Sequence, residues 1–207
     1  MTVRAARAEA ITLLGTLAAG RNLDRPIQIA GVLFITALTA AAAQISIPLP
    51  FTPVPFTLQP MVVLLGGAAL GSRLGMASQV VYLILGIAGL PVFAASPVLP
   101  QGVFRLLGPT GGYLLSYPLA AFATGVLAER GFDRRYLTSV VAMAAGLAIV
   151  FASGVAWLAW FARPTHLGLN AALATGLYPF VPADLFKICL AAAVMPAVWR
   201  IVGSPRR

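Results

Sequence analysis

The sequence is poor in the residues that build catalytic and metal sites. Its 207 residues include one cysteine, Cys189, and one histidine, His166. A single cysteine excludes an intrachain disulfide and a cysteine-based metal site, and one histidine cannot hold zinc without other ligands. Cys189 lies in an apolar run, where we expect it to pack, and His166 lies in a predicted exposed loop. The sequence also lacks a nucleophile–base pair and a nucleotide-binding motif, so we expect no enzyme, no cofactor and no bound metal.

Charged residues are scarce as well. Only 9% of the residues are charged and 60% are hydrophobic, and the mean hydropathy is +0.93. Soluble domains average about 25% charged residues, so this chain cannot cover its surface in water. Helices that satisfy their backbone within each segment can lie in lipid. The composition therefore predicts an all-α integral membrane protein.

Long apolar stretches divide the chain into six candidate transmembrane helices. About 20 apolar residues cross the hydrocarbon core of a bilayer. On this scale the spans are 27–46, 57–71, 74–91, 109–128, 137–161 and 174–198. The second is short, and we expect it to be tilted, broken or partly buried. Trp157 and Trp160 lie at the predicted outer end of the fifth span and Trp199 at the inner end of the sixth, where interfacial tryptophans are favoured.

The spans define a transmembrane domain at 27–200, a preceding segment at 1–26 and a basic tail at 201–207. In the first segment Arg4 and Arg7 precede an apolar stretch, so a cleavable signal peptide is one interpretation. Arg21, Asp24 and Arg25 follow that stretch and favour the other, an amphipathic helix on the cytoplasmic surface of the membrane.

The net charge of +9 is explained by basic residues placed on one side of the membrane. If the N-terminus is cytoplasmic, eleven of the fourteen basic residues lie inside, only Arg105 and Arg163 lie outside, and Lys187 lies within a span. Short cytoplasmic loops carry this bias, so we predict that both termini are inside. We expect contact with anionic lipid and no nucleic-acid partner. The eleven residues are Arg4, Arg7, Arg21, Arg25, Arg73, Arg130, Arg134, Arg135, Arg200, Arg206 and Arg207.

Asp184 and Lys187 are the most informative residues. Lys187 is the sole lysine, and Asp184 is the one acidic residue inside a predicted span. Spaced i and i+3, they share one helix face. Each charge costs about 2.5–3.5 kcal/mol at the centre of a membrane helix, which either a structural ion pair or a ligand site must offset. We favour a ligand site, because Pro179 and Pro182 interrupt the helix just before the pair and such irregular backbone must line a cavity.

Two outer loops are candidates to close this cavity. The segment 47–56 is uncharged and contains four prolines, which keep it extended; it is either a lid or a stiff connector. The segment 91–108 carries Arg105, which either meets a ligand carboxylate through its planar guanidinium or is a solvated loop residue.

Small residues mark two further sites. Gly-Pro-Thr-Gly-Gly-Tyr, residues 108–113, leads into the fourth span, where glycine allows the backbone to approach a ligand or a neighbouring helix. It is no phosphate loop, because it lacks the Gly-Lys-Ser/Thr ending. Ala37 and Ala41, four apart on the first span, form a small-residue face that packs within the bundle or docks a second membrane protein.

Four motifs together resemble the BioY family, the biotin-specific substrate-binding (S) components of energy-coupling factor (ECF) transporters. They are Ile-Pro-Leu-Pro-Phe with Pro-Phe-Thr-Leu-Gln-Pro at 55–60, Tyr-Leu-Ile-Leu-Gly-Ile-Ala-Gly-Leu-Pro-Val-Phe-Ala at 82–94, the stretch 108–113, and Asp-Leu-Phe-Lys at 184–187. The resemblance covers residues 27 to 200. It implies six helices, a biotin site near the outer face, and residence in the cytoplasmic membrane of a prokaryote.

The resemblance also assigns roles to residues. It implies ligand contacts from Asp184 and Lys187, with Arg105, Tyr113, Gly111 and Gln101 as further candidates. Lys187 or Arg105 would meet the biotin carboxylate. The segment 95–102 departs from the glycine-rich stretch usual in the family, and Gln101 lies in it.

The resemblance implies partners too. Ala37 and Ala41 match the face that docks the coupling transmembrane subunit, which works with two ATPase subunits. The alternatives are a homo-oligomer that works without partners, an S component for another vitamin, and a purely structural bundle. An intramembrane enzyme is a poor alternative, because Asp184 has neither a second acid nor an intramembrane histidine beside it.

Overall fold

Helices form most of the structure, a computed structural model that describes residues 12–18, 24–95, 100–162 and 167–202. The predicted segments 1–26 and 201–207, Arg163 and His166 thus lie wholly or largely outside the described residues. In chain order the helices are α1 Leu13–Ala18, α2 Asp24–Gln44, α3 Gln59–Leu70, α4 Ser72–Ile87, α5 Val103–Leu107, α6 Gly111–Glu129, α7 Tyr136–Trp160, α8 Leu169–Gly176 and α9 Val181–Val202. A short 3-10 helix, Phe132–Arg134, joins α6 to α7.

Within the described ranges, four helices are long and apolar enough to cross a membrane. They are α2, α6, α7 and α9, and they correspond to the first, fourth, fifth and sixth predicted spans. The helices of the second and third spans, α3 and α4, are apolar but have only 12 and 16 residues. The structure thus confirms a multi-helix membrane protein, whereas six complete crossings stay a prediction.

The short helix α3 lies inside the bundle. Eight of its twelve residues are buried, which is the partly buried alternative expected for the second span. Pro60 lies in its first turn, where the missing N–H costs no helical bond, and Gly71 ends it with a φ of 87° that favours glycine. The chain turns back at once into α4.

The predicted sixth span is interrupted. Within the predicted span 174–198, α8 ends at Gly176 and α9 begins at Val181, so the break predicted from Pro179 and Pro182 is present. Pro179 lies in the intervening turn and Pro182 in the first turn of α9, so neither removes a needed backbone donor. Asp184 is therefore in the first turn of a new helix.

The bundle has two distinct ends. The hairpin end carries strands β1 (Ser46–Ile47) and β2 (Phe56–Thr57), paired antiparallel with Ser46 opposite Thr57. It also carries α5 and the first turns of α3, α6 and α9. The opposite end carries the first turns of α2, α4 and α7. The arginines of the described chain lie at the opposite end, with Arg105 as the exception: Arg25, Arg73, Arg130, Arg134, Arg135 and Arg200.

Buried polar contacts hold the opposite end together. Glu129, at the end of α6, accepts hydrogen bonds from the backbone N–H and the hydroxyl of Ser72, at 2.7 and 2.8 Å, and so caps α4. The indole N–H of Trp199 donates to Asp133 at 2.5 Å, and the Arg134 guanidinium lies 3.7 Å from the centre of the indole ring. Trp199 is only 3% exposed, so it lies at the predicted end of the span, but its ring packs within the protein rather than facing lipid.

The lone cysteine is also placed differently from the prediction. Cys189 is exposed on α9 rather than packed in the bundle. The residues around it, Leu185, Phe186 and Leu190, are exposed as well. Apolar side chains on the outside of a lipid-embedded helix need no protein partner, so hydrophobicity alone could not distinguish this face from the core.

Candidate functional site

A cavity opens at the hairpin end, between the hairpin and the first turns of α3, α6 and α9. It holds about 630 Å³ of empty space, its open mouth included. The apolar part of its wall includes Val54, Pro55, Pro60, Phe93, Leu114, Val150, Phe151 and Phe180. Its polar part consists of Thr57, Gln59, Arg105, Thr110, Tyr113, Tyr117, Asp184 and Lys187. A mostly apolar wall with a few convergent polar groups is typical of a small-molecule site.

Asp184 and Lys187 form a buried ion pair in this wall. The Lys187 ammonium lies 2.6 Å from Oδ1 of Asp184, and the two residues are 4% and 6% exposed. The pair sits on one face of α9, as its spacing predicts. The ammonium contacts Oδ1 of Asp184, which leaves Oδ2 as an acceptor for a ligand.

Lys187 also ties α9 to the hairpin. Its ammonium donates to the main-chain carbonyl of Thr57 at 2.6 Å and lies 3.5 Å from the centre of the Phe56 ring. These contacts fasten strand β2, at the end of the proline-rich segment 47–56, over the ion pair. Val54 and Pro55 of that segment line the cavity, which favours a lid over a stiff connector.

Arg105 is buried at another part of the wall. It lies on α5 and is 5% exposed, so the interpretation as a solvated loop residue is wrong. Its Nε atom is buried and has no hydrogen-bond partner in the described chain. Burial lowers the pKa of the Arg105 guanidinium, but an arginine side chain stays protonated at neutral pH. The cavity wall thus contains a positively charged guanidinium whose Nε–H group can still donate a hydrogen bond to a ligand.

Thr110 adds a second unpaired group to this region. Its hydroxyl oxygen is buried without a partner among the described residues, and the residue precedes the first turn of α6 and lines the cavity. Thr110 was not among the ligand contacts predicted from the sequence. Arg105 and Thr110 are five residues apart along the chain and suit an anion.

Three other predicted site residues make contacts within the protein itself. Tyr113 lines the cavity, but its hydroxyl donates to the carbonyl of Gly176 at 2.7 Å and fastens α8. Gly111 is absent from the wall of the cavity as the structure describes it, and a Cβ there would overlap the carbonyl of Leu106. Gln101 donates to the carbonyl of Phe93 at 3.2 Å. Gln101 is not part of the cavity wall as the structure describes it.

A hydrogen-bonded chain that was not predicted from the sequence runs through the wall at Gln59. The Gln59 side-chain amide donates to the Tyr82 hydroxyl at 2.6 Å, and this hydroxyl donates to the carbonyl of Val92 at 3.1 Å. Gln59 and Tyr82 are 3% and 0% exposed. The available signal was an amide side chain at the start of a predicted span, directly after the proline-rich segment.

The small-residue face of α2 lies away from the cavity. Ala37 and Ala41 are exposed, as are Leu33, Phe34 and Leu38 around them. These five residues form what we call the α2 face. It is open to lipid or to a second protein, so packing of Ala37 and Ala41 within the bundle is wrong.

Known proteins resemble the chain over most of its length. A probable biotin transporter BioY of Pyrococcus horikoshii is 40% identical over 163 residues, which cover 79% of this chain and 90% of the relative. The biotin transporter BioY of Thermotoga maritima is 42% identical over 160 residues, covering 77% and 88%.

A solved structure agrees with the fold. The crystal structure of the S-component for biotin from an ECF-type ABC transporter superposes with a TM-score of 0.77 at 26% identity. The match covers 88% of this chain and 95% of that one. The BioY family model matches residues 16–204. The chain therefore belongs to the BioY family.

Proposed function

We propose that this protein takes up biotin across the cytoplasmic membrane as the substrate-binding component of an ECF-type transporter. The names of the relatives support biotin as the substrate, and the structural match supports the S-component role. The observation that carries the proposal is the Asp184–Lys187 pair, buried in the wall of a cavity. The protein is a transporter and not an enzyme.

Biotin has two polar ends, and the cavity has polar groups to meet both. Its ureido group offers two N–H donors and a carbonyl acceptor, which suit Oδ2 of Asp184 and the ammonium of Lys187. Its carboxylate suits Arg105. The Lys187 ammonium already donates to Asp184 and Thr57, whereas the Nε of Arg105 has no partner among the described residues. The fused rings between these ends would pack on apolar side chains such as Val54 and Phe93.

The hairpin acts as the outer lid in this proposal. Its contacts with Lys187 would break to admit biotin and form again over the bound ring. Because Lys187 belongs to both the lid and the site, a bound ureido carbonyl would be enclosed when the hairpin closes.

The orientation in the membrane follows from the charges. We place the opposite end in the cytoplasm and the cavity toward the outside, with both termini inside and six helices in the bilayer region. The clustering of Arg25, Arg73, Arg130, Arg135 and Arg200 at the opposite end supports this orientation under the positive-inside rule. The host is a prokaryote, as are the organisms of the relatives.

Energy would come from partner proteins. The α2 face would dock the coupling transmembrane subunit through Ala37 and Ala41, and two ATPase subunits would drive the cycle. The exposure of both alanines supports this assignment. A homo-oligomer that works alone is the alternative, and uptake of labelled biotin by cells with and without the coupling subunits separates the two.

Isothermal titration tests the substrate. Purified protein in detergent is titrated with biotin, thiamin and riboflavin, and we expect saturable 1:1 binding of biotin alone. Binding of thiamin or riboflavin in its place would assign the S component to another vitamin. A folded protein that binds none of the three would refute the proposal.

A further inference from the structure

We propose that Gln59 determines specificity in the cavity, because its amide oxygen accepts a hydrogen bond from one N–H of a cyclic urea. This inference rests on the proposed function, since it states how the same cavity recognises the ureido ring of biotin. Gln59 is the first residue of α3, is 3% exposed and lines the cavity.

The neighbours of Gln59 determine which way its amide points. The carbonyl of Val92 can only accept, so the Tyr82 hydroxyl donates its proton there, over 3.1 Å. The Tyr82 oxygen then accepts from Gln59, which must turn its NH₂ group toward it, at 2.6 Å. The amide oxygen Oε1 then faces away from Tyr82 and is left as an acceptor for a ligand.

Gln59 also lies close in the chain to the segment that holds the ion pair. The carbonyl of Thr57 accepts from Lys187 at 2.6 Å, and the Thr57 hydroxyl accepts from the backbone N–H of Gln59 at 3.4 Å. The first turn of α3 therefore begins next to the strand fastened over Asp184 and Lys187. The side chains of Gln59, Asp184 and Lys187 all line the same cavity.

The chemistry of a cyclic urea requires this additional acceptor. Its two N–H groups diverge on either side of the carbonyl, so one carboxylate oxygen can accept from only one of them. Lys187 occupies Oδ1 of Asp184, which leaves Oδ2 for the first N–H. The oxygen of Gln59 takes the second, and a buried N–H without it would weaken binding about 5- to 150-fold.

An oriented amide oxygen also selects against other ligands. Hydroxyl groups such as those of Thr110 and Tyr117 can turn to donate or to accept. The Gln59 oxygen can only accept, and Tyr82 prevents the amide from turning over. A ligand with an N-alkyl group or a ring oxygen at this position would leave the acceptor unpaired and would be rejected.

Titration of a matched pair of variants tests the inference. Gln59→Met keeps the length of the side chain and removes the acceptor, and Gln28→Met makes the same change on α2, away from the cavity. Both are titrated with biotin, with the two singly N-methylated biotins and with biotin methyl ester. We expect Gln59→Met to bind biotin about 5- to 150-fold more weakly and to lose discrimination against one N-methyl isomer, whereas Gln28→Met matches the wild type.

The outcomes separate this inference from the function on which it rests. Wild-type protein that binds no biotin refutes both. Wild-type binding with unchanged affinity in Gln59→Met refutes the inference alone. A Gln59→Met effect that couples to the methyl ester, and not to N-methylation, also refutes it, because Gln59 would then act at the carboxylate.

A second variant tests the inference even if Gln59→Met does not fold. Tyr82→Phe keeps Gln59 and removes only the oxygen that orients its amide. We expect weaker discrimination between biotin and the N-methyl isomer, together with a smaller loss of affinity than in Gln59→Met. Unchanged discrimination in Tyr82→Phe would refute the role of Tyr82 in orienting the amide.

Discussion

At the scale of single residues, the cavity depends on charges that are almost fully buried. Asp184 is 4% exposed and Arg105 is 5% exposed, and burial of an unpaired charge is strongly unfavourable. Asp184 has Lys187 as its partner, while the Nε of Arg105 is unpaired within the described chain. The polar groups left open are thus those that a ligand with a donor at one end and a carboxylate at the other would satisfy.

Replacement of Asp184 by Asn tests the ligand contact directly. The change preserves size but removes the charge, and hydrogen bonds to charged groups contribute about 1.5–3 kcal/mol. We expect the dissociation constant for biotin to rise about 10- to 100-fold, as measured by titration, while circular dichroism shows a folded bundle. Glu129→Gln is the matched control, since Glu129 lies at the opposite end. Unchanged affinity in Asp184→Asn would remove Asp184 from the site.

The sequence predicted the ion pair in the cavity wall better than the rest of that wall. Asp184 and Lys187 were recognisable because charges are costly in a membrane helix. Gln59 and Thr110 were not, because a neutral polar side chain at the end of a span is common. Gly111 packs against the carbonyl of Leu106 and Gln101 donates to the carbonyl of Phe93, contacts that the sequence did not predict.

At the scale of helices and turns, close backbone approach explains much of the packing. A Cβ on Gly67 would overlap the carbonyl of Ala121, and a Cβ on Gly125 would overlap the backbone N of Ser72. Helices that associate in lipid have little hydrophobic driving force, so small residues at their crossings provide dispersion contacts instead. α6 can therefore lie directly against the α3–α4 turn.

Gly125→Ala tests this packing. Its new methyl group meets backbone atoms that cannot move aside, and such overpacking costs about 1–3 kcal/mol. We expect a lower thermal unfolding midpoint in detergent. Gly31→Ala is the control, because the nearest atom to its methyl group is the flexible end of Leu70 at 3.1 Å. Equal midpoints for the two variants would show that the α6 crossing tolerates displacement.

The turn between α6 and α7 makes stability depend on pH. Burial raises the pKa of the Asp133 carboxyl in the folded protein, against smaller opposing effects of Trp199 and Arg134. The unfolded value is about 3.9, so the stabilising contribution is complete below that pH and is lost as the pH rises through the folded pKa.

We therefore expect the unfolding midpoint, followed by tryptophan fluorescence, to fall as the pH rises through the folded pKa of Asp133. Asp133→Asn can still accept from Trp199 but does not titrate, so its midpoint should change less with pH. Parallel curves for the wild type and Asp133→Asn would assign the dependence to another group.

Helix boundaries were predicted accurately where the helix ends together with its apolar run. The fourth and fifth predicted spans, 109–128 and 137–161, agree with α6 and α7 within two residues. In the sixth, 174–198, hydropathy continues across the break between α8 and α9, and only Pro179 and Pro182 indicated it. The α3–α4 turn was located correctly, since Gly71 and Arg73 interrupt the apolar run.

At the scale of the whole molecule, the cavity and the proposed docking surface are separate. The cavity is formed mainly by the hairpin, α3, α6 and α9, whereas the α2 face looks outward from the bundle. We therefore expect that the proposed binding and docking can be altered independently.

A double variant, Ala37→Trp with Ala41→Trp, tests this separation. Two large rings on the α2 face would hold a partner helix away but would not touch the cavity. We expect unchanged biotin affinity by titration and loss of ATP-driven uptake in cells that contain the coupling subunits. Ala148→Trp, on an exposed position of α7, is the control for bulk alone. Full uptake by the double variant would place the docking surface elsewhere or favour the homo-oligomer.

The contact between Lys187 and Thr57 joins residues 130 positions apart, which has a consequence for biosynthesis. The ribosome delivers the hairpin early and the two charges last, on the final helix. A lone α9 would enter lipid with both charges uncovered, at about 2.5–3.5 kcal/mol each. The earlier helices must already be assembled to receive it, so we expect the binding site to appear only when the complete chain has been inserted.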